Sequence, residues 1–192
     1  MKAAHGYVLS ELDLGGGYGV RYTENDPTID IAANIAEVAQ MLKDKAAELK
    51  IPLPAIRMEP GRSIVADAGL TLYTVGTVKR IPGYKTYISV DGGMTDNPRF
   101  ALYGSPYTIL PVFDGAGERE SCSVVGRCCE SGDILQENLP MRADTKRGDL
   151  LACLTTGAYH YSMASNYNRI PRPPVVMLRD GKSYLAVRRE TL

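Results

Sequence analysis

Residues 7–17 read YVLSELDLGGG, an apolar stretch that ends in three consecutive glycines. We expect a strand over Tyr7–Leu14, because glycines weaken a strand interior and here mark its end. Without a Cβ, Gly15, Gly16 and Gly17 can turn successive backbone N–H groups toward one point and form an anion nest. A phosphate is the usual guest of such a nest, and a simple tight turn is the alternative.

A helix and a second strand follow this loop. Apolar residues recur at spacings of three, four or seven between Ile29 and Lys50, which predicts an amphipathic helix. Thr28 or Asp30 can cap its start. A short strand at Ala55–Glu59 comes next. A strand, a helix and a second strand in this order are typical of an α/β unit with parallel strands.

The character of the sequence changes after residue 70. Short β-rich runs alternate with Gly, Pro and Asp turns, and the last two runs predict a hairpin over Asp180-Gly181. This half is therefore expected to be an antiparallel β-barrel or sandwich. The predicted strands are 71–78, 86–90, 107–112, 121–125, 149–155, 174–179 and 183–188.

The two halves predict an α/β plus all-β fold. Residues 1–69 hold two strands and about two helices (the second over 63–69), which are too few to cover both faces of a parallel sheet. We therefore interpret residues 1–69 as the end of a larger α/β domain. Residues 70–192 would form a separate β-barrel domain.

Composition argues against several functional classes. The 22 basic and 22 acidic side chains balance, so nothing favours a nucleic-acid partner. No apolar run is long enough to cross a bilayer, and residues 1–6 are not followed by the apolar segment of a secretory signal. We expect a cytoplasmic protein with no membrane partner. The sequence contains four cysteines, Cys122, Cys128, Cys129 and Cys153, and none of them form a C-x-x-C pair. The cysteines therefore do not suggest a metal site.

A second strand-end loop, Glu59-Pro60-Gly61-Arg62, presents a carboxylate and a guanidinium across a rigid corner. A solvated salt bridge is the simplest explanation of such a pair. However, two successive strand-end loops, one of them rich in glycine, match the phosphate site that (β/α)₈ barrels build after strands 7 and 8. The coincidence favours a phosphate site formed by both loops.

Three later motifs carry reactive or charged side chains, and each has an alternative without function. Arg99 and Tyr103 lie in a segment that begins with Asp91-Gly92-Gly93, although an exposed arginine near a tyrosine is commonplace. Cys128-Cys129-Glu130 places a thiol next to a carboxylate, which could be a proton donor or an inert cysteine. Gly157-Ala158-Tyr159-His160 contains a histidine that is more often structural than catalytic.

Taken together and in this order, the five motifs resemble the C-terminal half of the diaminopimelate decarboxylase family. This family belongs to the alanine racemase-like, fold-type III enzymes, which use pyridoxal 5′-phosphate (PLP). The resemblance runs from Glu11 essentially to the end of the chain. It implies the C-terminal part of a PLP-binding (β/α)₈ TIM barrel followed by an antiparallel β-barrel domain, in a homodimer with active sites at the interface. The implied reaction is decarboxylation of meso-2,6-diaminopimelate to L-lysine, the last step of lysine biosynthesis.

The resemblance also implies roles for individual residues. Glu59 would keep the pyridine nitrogen protonated, and Cys129 would reprotonate the α-carbon in the neighbouring subunit's site. Guanidinium groups suit the substrate's remote carboxylate, and Glu130 suits its remote ammonium. The implied cofactor-binding residues are Gly15, Gly16, Gly17, Glu59, Gly61, Arg62 and Tyr159. The implied substrate-binding residues are Arg62, Arg99, Tyr103, Glu130 and Tyr159.

The sequence departs from the family pattern in two ways. Phe100 stands where a proline usually follows the arginine. The family's Schiff-base lysine and its ring-stacking histidine lie near early barrel strands, and no lysine of this sequence has a matching context. We therefore expect the chain alone to be inactive. It would be one portion of a decarboxylase, or else a non-catalytic regulatory or dimerisation module that pairs with a full-length relative.

The motifs indicate the substrate less directly than they indicate the family. Relatives that act on ornithine commonly have aspartate after the cysteine, whereas this chain has Glu130. Glutamate at this position favours diaminopimelate. Another diamino acid or a polyamine precursor is the alternative substrate.

Overall fold

The computed structural model describes the backbone of residues 2–192 and the side chains from Ala4 onward. β1 and β2 pair in parallel, with Leu12 opposite Ile56, as the α/β pattern predicts. The strand predicted over Tyr7–Leu14 is wrong in its first part, because only its last residues have a partner strand. The first part of the chain forms α1 (Lys2–His5), β1 (Glu11–Asp13), α2 (Ile31–Glu48), β2 (Ala55–Arg57) and α3 (Arg62–Val65).

Helix α2 is the predicted amphipathic helix, slightly shorter at both ends. Asp30 caps it, because its carboxylate accepts a hydrogen bond from the Ala33 N–H at 2.9 Å. The apolar face finds little cover within residues 2–192: Ala46 is the buried residue of the helix, while Ile35 and Met41 are 41% and 63% exposed. Much of the apolar pattern that forms this helix is therefore left uncovered by the described residues.

The second part is a nearly closed six-stranded barrel in the order β5-β8-β3-β4-β6-β7. The amide of Tyr107, beside β5, donates to the Gln136 side chain of β7 at 3.0 Å and so links the two edges. The elements are β3 (Leu70–Ile81), β4 (Lys85–Val90), α4 (Arg99–Tyr103), β5 (Ile109–Pro111), β6 (Arg119–Val125), β7 (Ile134–Arg142) and β8 (Leu150–Leu154).

The barrel differs from the predicted antiparallel one at a single pairing. β4 and β6 run parallel, with Thr86 opposite Cys122, whereas the other four pairings of adjacent barrel strands are antiparallel. The reason is the long connection over residues 91–118, which carries α4 and β5 away before the chain returns beside β4. A tight hairpin would have forced the opposite direction.

Strand β7 was not predicted. Its sequence, ILQENLPMR, contains a proline and several polar residues, which disfavour a strand assignment. The strand accommodates them through an irregular pairing with β6, and Asn138 lies within β7 with a φ of 56°. A local bulge of this kind accommodates polar residues in a strand, while the apolar side chains of the strand continue to face the core.

The barrel core is built by side chains that alternate along the strands. In β4 the inward residues are Thr86, Ile88 and Val90. Two cysteines belong to this core, and burial raises the pKa of Cys122 to about 11 and that of Cys153 to about 12. These two thiols are therefore small apolar core groups, as expected for buried free cysteine.

A hairpin follows the barrel in sequence. β9 (Val175–Arg179) and β10 (Lys182–Val187) pair antiparallel and form their own two-stranded sheet. Asp180 and Gly181 both have positive φ, 51° and 71°, which matches a two-residue turn of the primed type. The predicted hairpin over Asp180-Gly181 is thus confirmed. None of the helices found between residues 2 and 192 has the length and apolar character needed to span a bilayer.

The two parts of the chain meet where residues 156 and 157 pack against the end of α3. The Gly157 N–H donates to the Ala66 carbonyl at 2.9 Å, and the Thr156 N–H donates to the Gly69 carbonyl at 2.9 Å. A Cβ on Gly157 would lie 1.8 Å from the carbonyl oxygen of Val65. This contact therefore requires glycine, since any side chain would push the backbones apart.

Replacing Gly157 with alanine should destabilise the fold by about 2–3 kcal/mol, because the added methyl group collides with a fixed carbonyl. Urea denaturation followed by circular dichroism measures the change. The matched control is Gly117→Ala, where an added Cβ meets nothing within 4 Å. Equal stability of the two variants would show that the backbones separate without cost.

Candidate functional site

The loops that follow β1 and β2 lie side by side. The Leu14 N–H donates to the Arg57 carbonyl at 3.0 Å, and the Glu59 N–H donates to the Gly15 carbonyl at 2.7 Å. A Cβ on Gly16 would be 2.2 Å from the Glu59 carbonyl oxygen. The two strand-end loops are therefore joined as the sequence predicts, and a glycine is required at their closest point.

The glycine loop contains left-handed residues, which occur in anion nests. Gly15 and Gly17 have φ values of +69° and +89°, which glycine adopts without strain. The Asp13 carboxylate accepts from the Gly15 N–H at 2.7 Å. Within residues 2–192 the N–H groups of Gly16 and Gly17 have no hydrogen-bond partner. They are free to bind an external anion.

Arg62, from the neighbouring loop, contacts two tyrosine rings. Its Cζ is 4.6 Å from the centre of the Tyr159 ring and 5.6 Å from that of Tyr22. Its Nη1 also donates to the Tyr22 hydroxyl. Tyr159 has a φ of 63°, and a Cβ on Gly61 would be 3.3 Å from the Tyr159 hydroxyl. The guanidinium is thus held by contacts with both tyrosines.

Arg99 approaches the same pair of tyrosines from the barrel. It is the first residue of α4, it is only 9% exposed, and its Cζ is 5.9 Å from the rings of both Tyr22 and Tyr159. The Tyr103 ring centre is 5.3 Å away. The Arg99 Nε is buried without a partner among the described residues. Two cations around shared rings make a strongly positive site that suits a carboxylate or a phosphate.

Sequence reasoning missed Tyr22, which links the two arginines. Its backbone is held firmly: the carboxylate of Asp26 accepts from the N–H groups of Tyr22 and Thr23, each at 2.8 Å. These hydrogen bonds lower the pKa of Asp26. The Tyr22 carbonyl in turn accepts from the N–H and hydroxyl of Thr108, 86 residues further along. The one local signal is the aspartate four residues after Tyr22, which is weak by itself.

Behind Tyr22 lies a second layer of buried rings. Tyr107 is in edge-to-face contact with Tyr22 at 4.9 Å and with His160 at 5.2 Å. The Tyr107 hydroxyl and the His160 Nε2 have no partner among the described residues. Burial raises the pKa of Tyr107, and the nearby Arg99 opposes this effect. His160 is thus a structural support of the site, which the sequence left open.

His160 is held in its neutral form. Burial, together with the positive charges of Arg99 and Arg62, lowers its pKa to about 4, against the effect of the Ala158 carbonyl. Its Nδ1 lies 3.0 Å from that carbonyl and donates to it in the neutral tautomer. A neutral imidazole adds no third cation beside the two guanidinium groups.

Cys129 and Glu130 lie apart from the arginines. Both are exposed, and no hydrogen bond or ring contact among residues 2–192 joins either of them to Arg62 or Arg99. The Cys129 N–H donates to the Asn168 Oδ1 at 2.7 Å, and a Glu130 carboxylate oxygen accepts from the Gly132 N–H at 3.0 Å. The structure thus places the predicted site residues in two groups.

Asp133 holds the turn that carries Cys129 and Glu130. Its buried carboxylate accepts from the Met94 N–H at 2.6 Å and from the Cys128 N–H at 2.7 Å. Burial, with the negative charge of Asp133 next in effect, raises the pKa of the Cys128 thiol to about 11. Of the two adjacent cysteines, Cys128 is therefore held protonated and Cys129 is the exposed one.

The profile described as "Pyridoxal-dependent decarboxylase, C-terminal sheet domain" matches residues 7–157. The chain belongs to the pyridoxal-dependent decarboxylase family. It is 46% identical over 191 residues to a diaminopimelate decarboxylase of Bacillus subtilis, covering 99% of this chain and 43% of the relative. The chain thus spans less than half the length of the curated relatives it matches.

Solved structures agree with this assignment. Diaminopimelate decarboxylase from Helicobacter pylori, complexed with L-lysine, superposes with a TM-score of 0.85 at 34% identity, over 99% of this chain and 44% of that one. The M. jannaschii enzyme, also in complex with L-lysine, gives 0.86 at 33% identity, over 99% and 43%. The family predicted from the five motifs is therefore confirmed, as is its C-terminal sheet domain.

The residues present fit the cofactor on which this family depends. The unpaired amides of Gly16 and Gly17 are suited to phosphate oxygens, and Arg62 in the adjoining loop supplies a positive charge held in place by Tyr22. The carboxylate of Glu59 is exposed and adjoins the nest through its backbone. A phosphate-bearing aromatic cofactor with a basic ring nitrogen matches this set of groups.

The neutral state of His160 predicts a pH dependence of stability. Since its pKa falls from 6.5 to about 4 on folding, the unfolded chain binds the proton first as the pH is lowered. Stability should therefore fall between about pH 6.5 and pH 4, by about 3 kcal/mol at most, and this contribution should level off below pH 4. Urea denaturation across this range measures the slope.

The variant His160→Gln should flatten that slope, whatever its effect on stability at neutral pH. The matched control is His5→Gln, which replaces the exposed histidine of α1. An unchanged slope in the His160 variant would mean that other groups carry the pH dependence.

Proposed function

We propose that this chain forms the C-terminal portion of a PLP-dependent decarboxylase that converts meso-2,6-diaminopimelate to L-lysine. The observation that carries the proposal is the pair Arg62 and Arg99 around the rings of Tyr22 and Tyr159. One cation would serve the cofactor phosphate and the other a substrate carboxylate. A substrate with an amino-acid group at each end has such a carboxylate remote from the reacting carbon.

In this proposal, β1 and β2 with their helices (residues 1–69) are the last strands of a PLP-binding (β/α)₈ barrel, and residues 70–192 are the β-barrel domain. The parallel pairing of β1 and β2 supports it, as do the adjoining loops at their ends. The exposed apolar face of α2 supports it as well, because the outer helices of such a barrel pack against the strands and against each other.

The cofactor, when bound, supplies an electron-accepting ring for the electron pair left on the α-carbon as CO₂ departs. The amides of Gly16 and Gly17 and the guanidinium of Arg62 would bind its phosphate. The carboxylate of Glu59 would accept a hydrogen bond from the protonated ring nitrogen and keep the proton there. Tyr159, stacked on Arg62, would border both cofactor and substrate.

The substrate's remote amino-acid group would be bound by charge complementarity. Arg99 would face the carboxylate together with the hydroxyl of Tyr103, and Glu130 would bind the ammonium. Cys129 would give its thiol proton to the α-carbon in place of the carboxyl group that leaves. The thiolate that results regains its proton from solvent.

We further propose a homodimer in which Cys129 and Glu130 complete the partner subunit's site. This is supported by their separation from Arg62 and Arg99 within one chain and by their exposure. A site completed across an interface would bring the thiol and the carboxylate to the cations only on assembly.

The direct experiment supplies the missing portion in trans. The chain is co-expressed with the N-terminal portion of the Bacillus subtilis relative, the part that it does not match, and CO₂ release from meso-diaminopimelate is measured with PLP present. We expect release from the co-purified assembly and none from either part alone. The control is the same assembly with Cys129→Ala, which lacks the proton donor.

A stable assembly that releases no CO₂ would contradict the proposal. The alternative, a regulatory module, predicts instead that the chain binds the full-length Bacillus subtilis enzyme and changes its rate. That alternative would be favoured if the chain binds the full-length enzyme and changes its decarboxylation rate, while the trans assembly releases no CO₂.

Arg99 should decide the affinity for the remote carboxylate. In the active assembly, Arg99→Met should raise KM for diaminopimelate about 10- to 100-fold, because a charge-assisted hydrogen bond is lost. Arg99→Lys keeps the charge and should recover only part of the affinity. The matched control is the exposed Arg147→Met. An unchanged KM in both Arg99 variants would remove Arg99 from the substrate site.

A further inference from the structure

The backbone of Cys129 is held from two sides by the segment Asn166–Ile170. The Cys129 N–H donates to the Asn168 Oδ1 at 2.7 Å, and the Tyr167 hydroxyl lies 3.5 Å from the Cys129 carbonyl oxygen. The thiol itself remains exposed. The peptide is therefore fixed in place while the reactive group stays free.

Asn168 reaches Cys129 from an uncommon backbone conformation. Asn168 and Arg169 have φ values of 51° and 58°, two consecutive left-handed residues, neither of which is glycine. Asparagine tolerates this region better than most residues, but the pair still carries strain. Such a conformation persists when the surrounding contacts hold it.

Those contacts come from Glu190. One oxygen of its carboxylate accepts from the Asn166 side-chain amide at 2.7 Å and from the Arg172 N–H at 2.9 Å. These bonds lower the pKa of Glu190, so it remains a charged acceptor. The Asn166 amide also donates to the Ile170 carbonyl at 3.1 Å, which closes the turn around Asn168.

The same stretch of chain borders the cation site at its other end. Tyr159 stacks on Arg62, and the Ser165 N–H donates to the Thr95 carbonyl at 2.8 Å midway along. Residues 159–172 thus contact both groups of site residues. Their position near Cys129 is tied to their position near Arg62.

We propose that Asn168 is a positioning residue that fixes the Cys129 peptide and thereby aims the Cys129 thiol as the proton donor. The role of Cys129 as proton donor rests on the proposed function. The fixed position of the Cys129 peptide rests on the hydrogen bond to Asn168 alone. Asn168 touches neither substrate nor cofactor in this account. It acts through the backbone of Cys129.

Two substitutions of Asn168 differ in whether they keep the hydrogen-bond acceptor. Asn168→Gly relieves the left-handed backbone and removes the acceptor, whereas Asn168→Asp keeps an acceptor oxygen at the same place. In the chain by itself, Asn168→Gly should speed hydrogen exchange of the Cys129 amide about 10-fold, and Asn168→Asp should leave it within about 3-fold. Amide exchange followed by NMR measures both.

The matched control is Asn138→Gly. Asn138 is another exposed, left-handed asparagine, in β7, with a φ of 56°. The chemical change is the same, but its side chain makes no hydrogen bond to Cys129. This variant should leave the exchange of the Cys129 amide unchanged.

In the active trans assembly, Asn168→Gly should lower kcat about 10-fold, since misplacing a reacting group slows its step more than it weakens binding. Asn168→Asp should restore most of the rate. In a Cys129→Ser background, the further loss caused by Asn168→Gly should shrink to less than about 2-fold. A loss of stability alone would lower the rate equally in both backgrounds.

Unchanged Cys129 amide exchange in Asn168→Gly would overturn the proposal, as would a full 10-fold loss in the Cys129→Ser background. If no assembly releases CO₂, the proposed function fails, and a fast-exchanging Cys129 amide in Asn168→Gly still supports the fixed peptide. The two failures are therefore distinguishable.

Discussion

Two guanidinium groups share the same pair of tyrosine rings, and this contact joins the parallel strands, the barrel and two loops at one site. Arg62 follows β2, Arg99 begins α4 on the barrel, and Tyr22 and Tyr159 come from two further loops. The negative faces of the rings offset part of the repulsion between the cations, and an anion would offset the rest. The position of the barrel against the parallel strands is thus tied to the electrostatics of one small site.

Close backbone contacts make this arrangement rigid. Gly16 touches the Glu59 carbonyl and Gly157 touches the carbonyl of Val65, and no side chain fits at either place. Each glycine lies within three residues of a group that the site uses. A methyl group added at such a contact would change the distance between two loops, and so the spacing of an amide nest from a guanidinium. Stability and binding geometry are therefore limited by the same few atoms.

Features that depend on residues close together in the sequence are predicted well, and features that depend on contacts between distant residues are predicted poorly. Helix α2 with its Asp30 cap and the hairpin turn at Asp180-Gly181 follow from neighbouring residues, whereas the joined strand-end loops follow from the order of strand, helix and strand. Tyr22 could not be found in this way, because Thr108 fixes it from 86 residues away. The parallel pairing of β4 and β6 depends on the path of residues 91–118. Local patterns do not encode that path.

The separation of Glu130 from the arginines has a chemical consequence. If Glu130 lay beside Arg62 or Arg99 in one chain, the carboxylate would form an internal salt bridge and compete with any anionic ligand. Instead it accepts hydrogen bonds from its own turn, and no carboxylate among the described residues pairs with either cation. In the homodimer proposed above, a ligand with a carboxylate and an ammonium at its remote end would engage both groups. Such a ligand would supply an opposite charge to each group, without a prior salt bridge having to break.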